Sequence, residues 1–262
     1  MADAWQPEQY QRFRDERAPP FHDLAALVER EPGMRVLDLG CGTGELTAWL
    51  HGTLGAQHTR GIDRSEAMLA KARAHATTGL DFVLGDIATL VVDDPVDLVF
   101  SNAALHWLND HPALFARLRD LLRPGGQIAV QMPANQDHPS HRMAAALAAE
   151  APYARVLGGS VRPPTVLTPP AYAELLDALG FARQHVRLQV YAHRLPTTES
   201  VVEWVKGTLL TPYRERLPDD VYAPFLATYR ERLLATLGAR APYLYAFPRI
   251  LLWARLPGPA TA

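Results

Sequence analysis

A glycine-rich turn is the segment whose residue types and spacing point most directly to chemistry. Residues 36–44 read Val-Leu-Asp-Leu-Gly-Cys-Gly-Thr-Gly, a strand pattern that runs into alternate glycines and then into a helical pattern. Gly40, Gly42 and Gly44 permit positive φ angles and close approach of the backbone to a ligand, whereas a plain tight turn needs only one such glycine. The spacing departs from the G-x-G-x-x-G of dinucleotide sites, where a helix N-terminus holds a pyrophosphate. We therefore predict a nucleotide-type ligand without phosphates.

Two acidic residues follow the next two predicted strands. Asp63 lies about 20 residues beyond the glycines, where a carboxylate accepts hydrogen bonds from ribose hydroxyls. Helix capping is its alternative role, but Ser65 can already cap the next helix. Asp86 suits an exocyclic amine such as that of adenine, with Ile87 against the ring, and a turn aspartate is an equally good interpretation of this residue alone. Together the two acids predict a ligand with a sugar and a purine.

An alternation of short apolar runs with segments of helical period must position these residues. This alternation is typical of βαβ units and a parallel sheet. Strands are predicted at residues 35–39, 59–62, 80–84, 97–101, 127–131, 183–191 and 250–254, and helices at residues 46–54, 65–76, 111–122, 143–150, 170–179, 198–209 and 219–237. The predicted fold is α/β, with a Rossmann-like, seven-stranded, mostly parallel sheet and helices on both faces.

Interruptions of this alternation predict a helical lid within a single domain that spans residues 1–262. We place the core at residues 32–132, 169–192 and 243–256, and the lid at residues 1–20, 133–168 and 197–240. Residues 133–168 leave the pattern because they bring together prolines and paired glycines.

Composition and charge limit the classes of function. A chain of 262 residues with 48% hydrophobic content can bury the core of one α/β domain, and a formal net charge of -2 argues against the basic surface of a nucleic-acid or membrane binder. The single cysteine, Cys41, cannot form an internal disulfide, and no stretch reaches the roughly 18 apolar residues of a membrane span or resembles a signal peptide. We expect a cytoplasmic protein with a small-molecule partner, and no metal, nucleic-acid or membrane partner.

Four markers, in order, resemble the class I S-adenosylmethionine-dependent methyltransferases. They are the glycine turn after Asp38, the acid at 63, Gly-Asp-Ile at 85–87, and Leu-Arg-Pro-Gly-Gly at 122–126 before a strand, so the resemblance covers about residues 32–131. It implies that the glycine turn contacts the methionine portion of S-adenosylmethionine, that Asp63 holds the ribose, and that Asp86 binds the adenine amine. The implied cofactor-binding residues are Asp38, Gly40, Cys41, Gly42, Gly44, Asp63, Arg64, Met68, Asp86, Ile87 and Asn102.

The segment at 101–107, Ser-Asn-Ala-Ala-Leu-His-Trp, follows the fourth predicted strand. Open α/β sheets bind ligands at this carboxyl edge, so the segment is expected to face the methyl group. The resemblance implies that the backbone of Asn102 lies beside the cofactor. His106 and Trp107 are expected in one wall of the acceptor pocket. His106 is also the candidate general base, which a hydroxyl or amine acceptor needs and an ionised carboxylate does not.

Beyond the core, the chain resembles one subgroup, the trans-aconitate methyltransferases, which esterify a carboxylate of a small polycarboxylic acid. The residues that carry this resemblance are Trp5, Tyr10, Phe13, Arg17, the run Gln131-Met132-Pro133-Ala134-Asn135, Pro139, His141, Trp204, Val205 and the run Ala246-Phe247-Pro248-Arg249. It implies a carboxylic acid acceptor that contacts Trp5, Tyr10, Arg17, His106, Trp107, Arg214 and Arg249, with Arg162 as a further candidate clamp. Packing is the alternative role for the aromatic residues of the lid, such as Trp5, Phe13, Trp204 and Phe247.

One departure from the subgroup follows the predicted helix at 198–209. Gly-Leu-Arg-Pro is expected there, but residues 209–212 read Leu-Leu-Thr-Pro, and Thr211 cannot form the bidentate contact of an arginine with a carboxylate. The acceptor therefore stays open between an acid such as trans-aconitate, with Arg214 or Arg249 in compensation, and another small molecule. Three further classes of protein stay open as well. One is a nicotinamide-dependent oxidoreductase, which the glycine spacing and Asp86 disfavour, and the second is a methyltransferase-fold binding protein without catalysis. The third is a nucleic-acid methyltransferase, which the acidic chain disfavours because it shows no basic, aromatic-rich run.

Overall fold

The structure is a computed structural model, and it describes residues 14–158 and 165–259. Its strands are β1 (Arg35–Leu39), β2 (His58–Asp63), β3 (Leu80–Leu84), β4 (Val96–Asn102), β5 (Leu122–Pro133), β6 (Arg183–Leu195) and β7 (Tyr243–Arg255). They form a seven-stranded sheet of order β3-β2-β1-β4-β5-β7-β6. Strands β1 to β5 pair in parallel, and β7 is antiparallel to β5. The predicted seven-stranded, mostly parallel sheet is confirmed.

The helices alternate with the strands as the sequence predicts, with three additions. Within the described residues the α-helices are α1 (Arg14–Ala25), α2 (Glu45–Leu54), α3 (Glu66–Ala72), α4 (His111–Asp120), α5 (Pro139–Ala148), α6 (Tyr153–Val156), α7 (Pro169–Ala178), α8 (Glu199–Lys206), α9 (Thr211–Arg216) and α10 (Asp219–Leu237). Short 3-10 turns lie at Arg73–His75 and Leu105–Trp107. Helices α1, α6 and α9 were not predicted.

The described chain divides into two compact units. Residues 14–133, 165–189 and 249–259 form the first, here called the sheet unit, and residues 134–158 and 190–248 form the second, here called the helical unit. The predicted division of a single domain into core and lid stays a prediction.

Helix α1 covers one face of the sheet unit. The ring of Phe21 in α1 packs on Phe100 of β4, with ring centroids 4.9 Å apart, and both side chains are buried. After α1, Glu29 N donates to Gln127 Oε1 at 2.9 Å. Gln127 lies closer to the start of β5 than Ala129, which pairs with Phe100. Helix α1 therefore runs from the carboxyl edge of β4 and β5 towards their amino edge.

The helical unit has an aromatic core of its own. Trp204 of α8 is buried and packs on Tyr245 and Phe247 of β7, with both ring pairs 5.7 Å apart. Phe225 and Tyr229 of α10 are fully buried in the same cluster. Trp204 and Phe247 therefore display in this unit the packing role that is the alternative to acceptor binding.

In the part of the chain that the structure describes, no helix is both long enough and apolar enough to cross a membrane. The same residues contain no cluster of three or more histidine, cysteine or acidic side chains placed to hold a metal ion.

Candidate active site

The glycine turn lies where the strand order of the sheet reverses. Chain order runs β1-β2-β3 to one side, and β4 then returns to the other side of β1, so a crevice opens at the carboxyl ends of β1 and β4. The backbone N–H groups of Gly40 and Cys41 both donate to Ile62 O, at 2.7 and 3.1 Å, which fixes the turn against β2. Ser101 Oγ donates to Leu39 O at 2.8 Å and ties β4 to β1 at the same level.

The three glycines of the turn have different surroundings. All have positive φ, but a Cβ on Gly40 would lie 2.3 Å from the Cβ of Ala104, and one on Gly44 would lie 2.8 Å from the ring of Phe82. At Gly42 (φ +56°) no atom of the described residues lies within 4 Å of the Cβ position. Packing therefore requires glycine at 40 and 44, whereas Gly42 borders the open space that a ligand can fill.

Asp63, at the end of β2, connects the glycine turn to helix α3. Its Oδ2 accepts from Gly42 N and its Oδ1 accepts from Ser65 N, both at 2.9 Å. Ser65 caps α3, because its Oγ accepts from Met68 N at 3.2 Å. The cap is therefore Ser65, as predicted, and each oxygen of Asp63 keeps a second lone pair for a ligand. Near this carboxylate, Arg64 is exposed and Met68 is buried.

Asp38 lies beneath the turn, at the end of β1. It is buried and accepts a 2.6 Å hydrogen bond from Thr47 Oγ1 of α2. Burial raises the pKa of this carboxyl to about 7, opposed by the hydrogen bond from Thr47 and assisted by the negative charge of Asp63. Burial also raises the pKa of the Cys41 thiol, so this cysteine stays a thiol at neutral pH and is no nucleophile.

The segment after β3 is fixed from two sides. The exposed Asp86 accepts from Ala88 N at 2.8 Å through Oδ1, which is the role of a turn aspartate, and Oδ2 remains for a ligand amine. Arg117 of α4 donates to the carbonyl oxygens of Ala88 and Ile87, the latter at 3.4 Å. Arg117 was missed from the sequence, because no pattern distinguishes it from other exposed helix arginines.

The end of β4 carries the segment that we expected to face the methyl group. Asn102 is half-buried, and its Oδ1 is buried without a hydrogen-bond partner among the described residues. Ala103 follows with φ +56°, and the half-buried rings of His106 and Trp107 lie 4.8 Å apart. Thr165 Oγ1 holds this segment by donating to His106 O at 3.0 Å. The wall that we expected from His106 and Trp107, and the role of His106 as a base, both stay predictions.

A buried polar pair lies on the neighbouring strands. Arg249 of β7 is 5% exposed, and its Nη1 donates to Oε1 of the fully buried Gln131 of β5 at 3.4 Å. Gln131 Nε2 is buried without a hydrogen-bond partner in the described residues. From the sequence we predicted Arg249 as an acceptor residue, whereas Gln131 entered only as part of the run at 131–135 that carries the subgroup resemblance on the acceptor side. The sequence does single out Gln131 in one respect, because its amide interrupts an apolar run at residues 128–132.

The remaining predicted acceptor residues belong to different units of the chain or lie outside the described residues. Arg214 belongs to the helical unit, where it is exposed, pairs with Asp219 and lies over the ring of Tyr222, with 5.0 Å between its Cζ and the ring centroid. Arg17 lies in α1, one turn before Phe21 and therefore in the half of the helix nearer the carboxyl edge. Trp5, Tyr10, Phe13 and Arg162 lie outside the described residues.

Comparisons with known proteins agree with this geometry. A family model described as a methyltransferase domain matches residues 36–126, which include the glycine turn and both acids. The chain is 48% identical over 259 residues to the trans-aconitate 2-methyltransferase of Deinococcus radiodurans, covering 97% of this chain and 98% of that protein. It is 42% identical over 258 residues to the enzyme of the same name from Variovorax paradoxus, covering 96% and 98%.

Solved structures support the fold. A phosphoethanolamine N-methyltransferase 2 from Haemonchus contortus, in complex with phosphomonomethylethanolamine and S-adenosylhomocysteine, superposes with a TM-score of 0.55 at 18% identity. The match covers 92% of this chain and 52% of that chain, so this protein spans about half the length of the solved one.

Proposed function

The chain belongs to the family of the trans-aconitate 2-methyltransferases, and from this premise we propose that it transfers the methyl group of S-adenosylmethionine to a carboxylate of trans-aconitate. The observation that carries the proposal is 48% identity over nearly the whole of both chains, which includes the regions outside the glycine-turn core. The identity therefore extends well beyond residues 36–126, which the methyltransferase domain model matches.

The site has the polarity that S-adenosylmethionine requires. This cofactor presents hydrogen-bond donors through its ammonium group, its ribose hydroxyls and its adenine amine. The chain offers acceptors along the crevice, in the free lone pairs of Asp63, in Asp86 Oδ2 and in the buried Asn102 Oδ1. The open space at Gly42 adds room for the ligand against the backbone. We assign the ribose to Asp63, the adenine amine to Asp86 and the ammonium end to Asn102.

The cofactor supplies a methyl group bonded to a positively charged sulfur. A carboxylate acceptor is ionised at neutral pH and brings no proton to the reaction, so the chain needs no general base. Its contribution is to hold the carboxylate oxygen in line with the methyl group and to exclude water. On this proposal His106 and Trp107 form a wall of the acceptor pocket.

Arg249 is the arginine that we assign to the acceptor. It is buried at the sheet, whereas Arg214 is exposed. A buried guanidinium binds a carboxylate more strongly than an exposed one, because water does not screen the contact. We therefore assign to Arg249 the role of the arginine that was expected at position 211, where this chain has Thr211.

A panel of acceptors tests the proposal. Purified protein is incubated with S-adenosylmethionine and each of trans-aconitate, other tricarboxylic and dicarboxylic acids, a phenol and an amine, and release of S-adenosylhomocysteine is measured. The highest kcat/KM is expected for trans-aconitate, with mass spectrometry showing one added methyl group. Preferred methylation of the phenol or the amine would overturn the proposal.

A further inference from the structure

Gln131 is a buried side chain with an unused hydrogen-bond donor. It is fully buried, yet its Nε2 has no partner among the described residues. Native proteins rarely leave a buried donor unpaired, because the desolvated group then has nothing to replace water. A donor in this state on a ligand-binding edge indicates a partner that the protein chain itself does not supply.

Gln127, on the same strand and the same face, shows what a structural glutamine looks like here. Its Nε2 donates to Glu29 O at 2.8 Å, and its Oε1 accepts from Glu29 N at 2.9 Å and from Trp253 Nε1 at 2.8 Å. Gln127 is 1% exposed, so its burial matches that of Gln131. The unpaired amide of Gln131 is therefore a property of its site and not of buried glutamines in β5.

The register of the sheet places Gln131 beside two site residues. Gln131 is the partner of Asn102 on β4 and of Leu251 on β7, and Arg249 precedes Leu251 by two positions. Paired residues and residues two apart share a face, so Asn102, Gln131 and Arg249 lie on one face. Phe21 of α1 covers this face at Phe100, two residues before Asn102. The three polar residues therefore lie about 7 Å further along, at the carboxyl edge.

The polarity of the pair selects the chemistry of the ligand. Gln131 Nε2 and the guanidinium of Arg249 both donate, and Arg249 adds a positive charge. An ionised carboxylate accepts at both oxygens and carries the complementary charge, whereas an amine offers no such match. Gln131 also orients Arg249, because its Oε1 accepts from Nη1.

We infer that Gln131 binds the methyl acceptor directly, with Nε2 donating to a carboxylate oxygen that Arg249 also contacts, and thereby determines specificity for acids. This inference rests on the proposed function, since it names a residue that recognises the acceptor of that reaction. Asn102 of β4 pairs with Gln131 of β5 in the sheet. On this inference the cofactor lies next to Asn102 and the acid lies next to Gln131.

Two matched substitutions test the inference. Gln131→Met keeps the length and most of the volume of the side chain and removes its polar atoms, and Gln127→Met does the same on the same strand and face. We expect Gln131→Met to raise KM for trans-aconitate at least tenfold, to change the Kd for S-adenosylhomocysteine less than twofold, and to lower Tm less than Gln127→Met does, because it removes only the 3.4 Å hydrogen bond from Arg249. Gln127→Met is expected to lower Tm, because it removes three hydrogen bonds, and to leave KM for the acid within twofold.

Calorimetric titration of trans-aconitate into protein saturated with S-adenosylhomocysteine separates this inference from the proposed function. Tenfold weaker binding of the acid by Gln131→Met supports the inference even if the wild-type protein does not methylate the acid, in which case only the proposed function fails. Methylation of trans-aconitate with equal KM in wild type and variant overturns the inference and leaves the function standing. A loss of S-adenosylhomocysteine affinity instead of acid affinity would also overturn it, because Gln131 would then serve the carboxylate of the cofactor. Gln131→Leu provides the same comparison if the methionine variant does not fold.

Discussion

Replacing Asp63 by asparagine should weaken cofactor binding more than it changes the stability of the fold. The carboxylate accepts two 2.9 Å hydrogen bonds, from Gly42 N and Ser65 N, and on the proposed function it accepts from the ribose as well. Asparagine keeps one oxygen, so an NH2 group must face one of the two backbone N–H groups. One charge-assisted contact is worth about 1.5–3 kcal/mol, and we therefore expect S-adenosylhomocysteine to bind about tenfold to a hundredfold more weakly.

The assay is isothermal titration calorimetry at a temperature well below Tm, so that both proteins are folded. Asp81→Asn is the matched control, because Asp81 on β3 accepts a 2.9 Å hydrogen bond from Arg60 Nε at the surface, so its carboxylate bonds to β2 and not to the glycine turn in the described residues. This control should keep wild-type affinity. If folded Asp63→Asn protein binds S-adenosylhomocysteine within twofold of wild type, the ribose belongs to another residue and the assignment is refuted.

Three further predictions concern the turn, the buried acid and the acceptor. Gly42→Val should fold and lose detectable binding of S-adenosylhomocysteine by calorimetry, because its side chain enters the open space, whereas Gly40→Ala should lower Tm, because its Cβ would meet Ala104 at 2.3 Å. The raised pKa of Asp38, about 7 against an ordinary 3.8, means that the folded state holds a proton that the unfolded state has lost between these pH values. The free energy of unfolding is measured by urea titration at several pH values. Its change between pH 4 and pH 7 should be less favourable to the folded state in wild type than in Asp38→Asn, because deprotonation of Asp38 destabilises the folded wild type. Arg249→Ala should lower kcat/KM for trans-aconitate about tenfold to several hundredfold, while Arg214→Ala keeps it within about threefold.

Each of these three has a distinct contrary result. Wild-type affinity in folded Gly42→Val protein would show that the ligand does not approach this turn. Equal pH dependence of stability in wild type and Asp38→Asn would show that the carboxyl at 38 is ionised in the folded state at ordinary pH. A larger loss of kcat/KM in Arg214→Ala than in Arg249→Ala would show that the arginine that binds the acceptor is Arg214 and not Arg249.

The part of the site that depends on local sequence was predictable. Strands β1 and β3 begin and end where predicted, because each is a short, mainly apolar run with a glycine directly after it. The glycine turn, Asp63 and Ser65 followed from residue type and spacing alone, since φ preference and helix capping act within a few residues.

The part that depends on distant contacts was not predictable. Helix α1 was missed because Pro19 and Pro20 interrupt its pattern, and burial of Phe21 against β4 stabilises it instead. Gln131 and Gln127 are the same residue type on one face of one strand, and only the tertiary contacts of Gln127 distinguish them. Arg214 and Arg249 were equal candidates for the same reason, because burial and ion pairing arise only when the chain folds.

Transfer of a labelled methyl group would show the proposed reaction itself. Wild-type protein is mixed with S-adenosylmethionine that carries 13C in the methyl group and with trans-aconitate, and the product is examined by NMR. We expect a single new methyl resonance at the chemical shift of a methyl ester, in amounts equal to the S-adenosylhomocysteine formed. Appearance of the label on carbon or nitrogen, or consumption of trans-aconitate without any methyl ester, would contradict the proposed function.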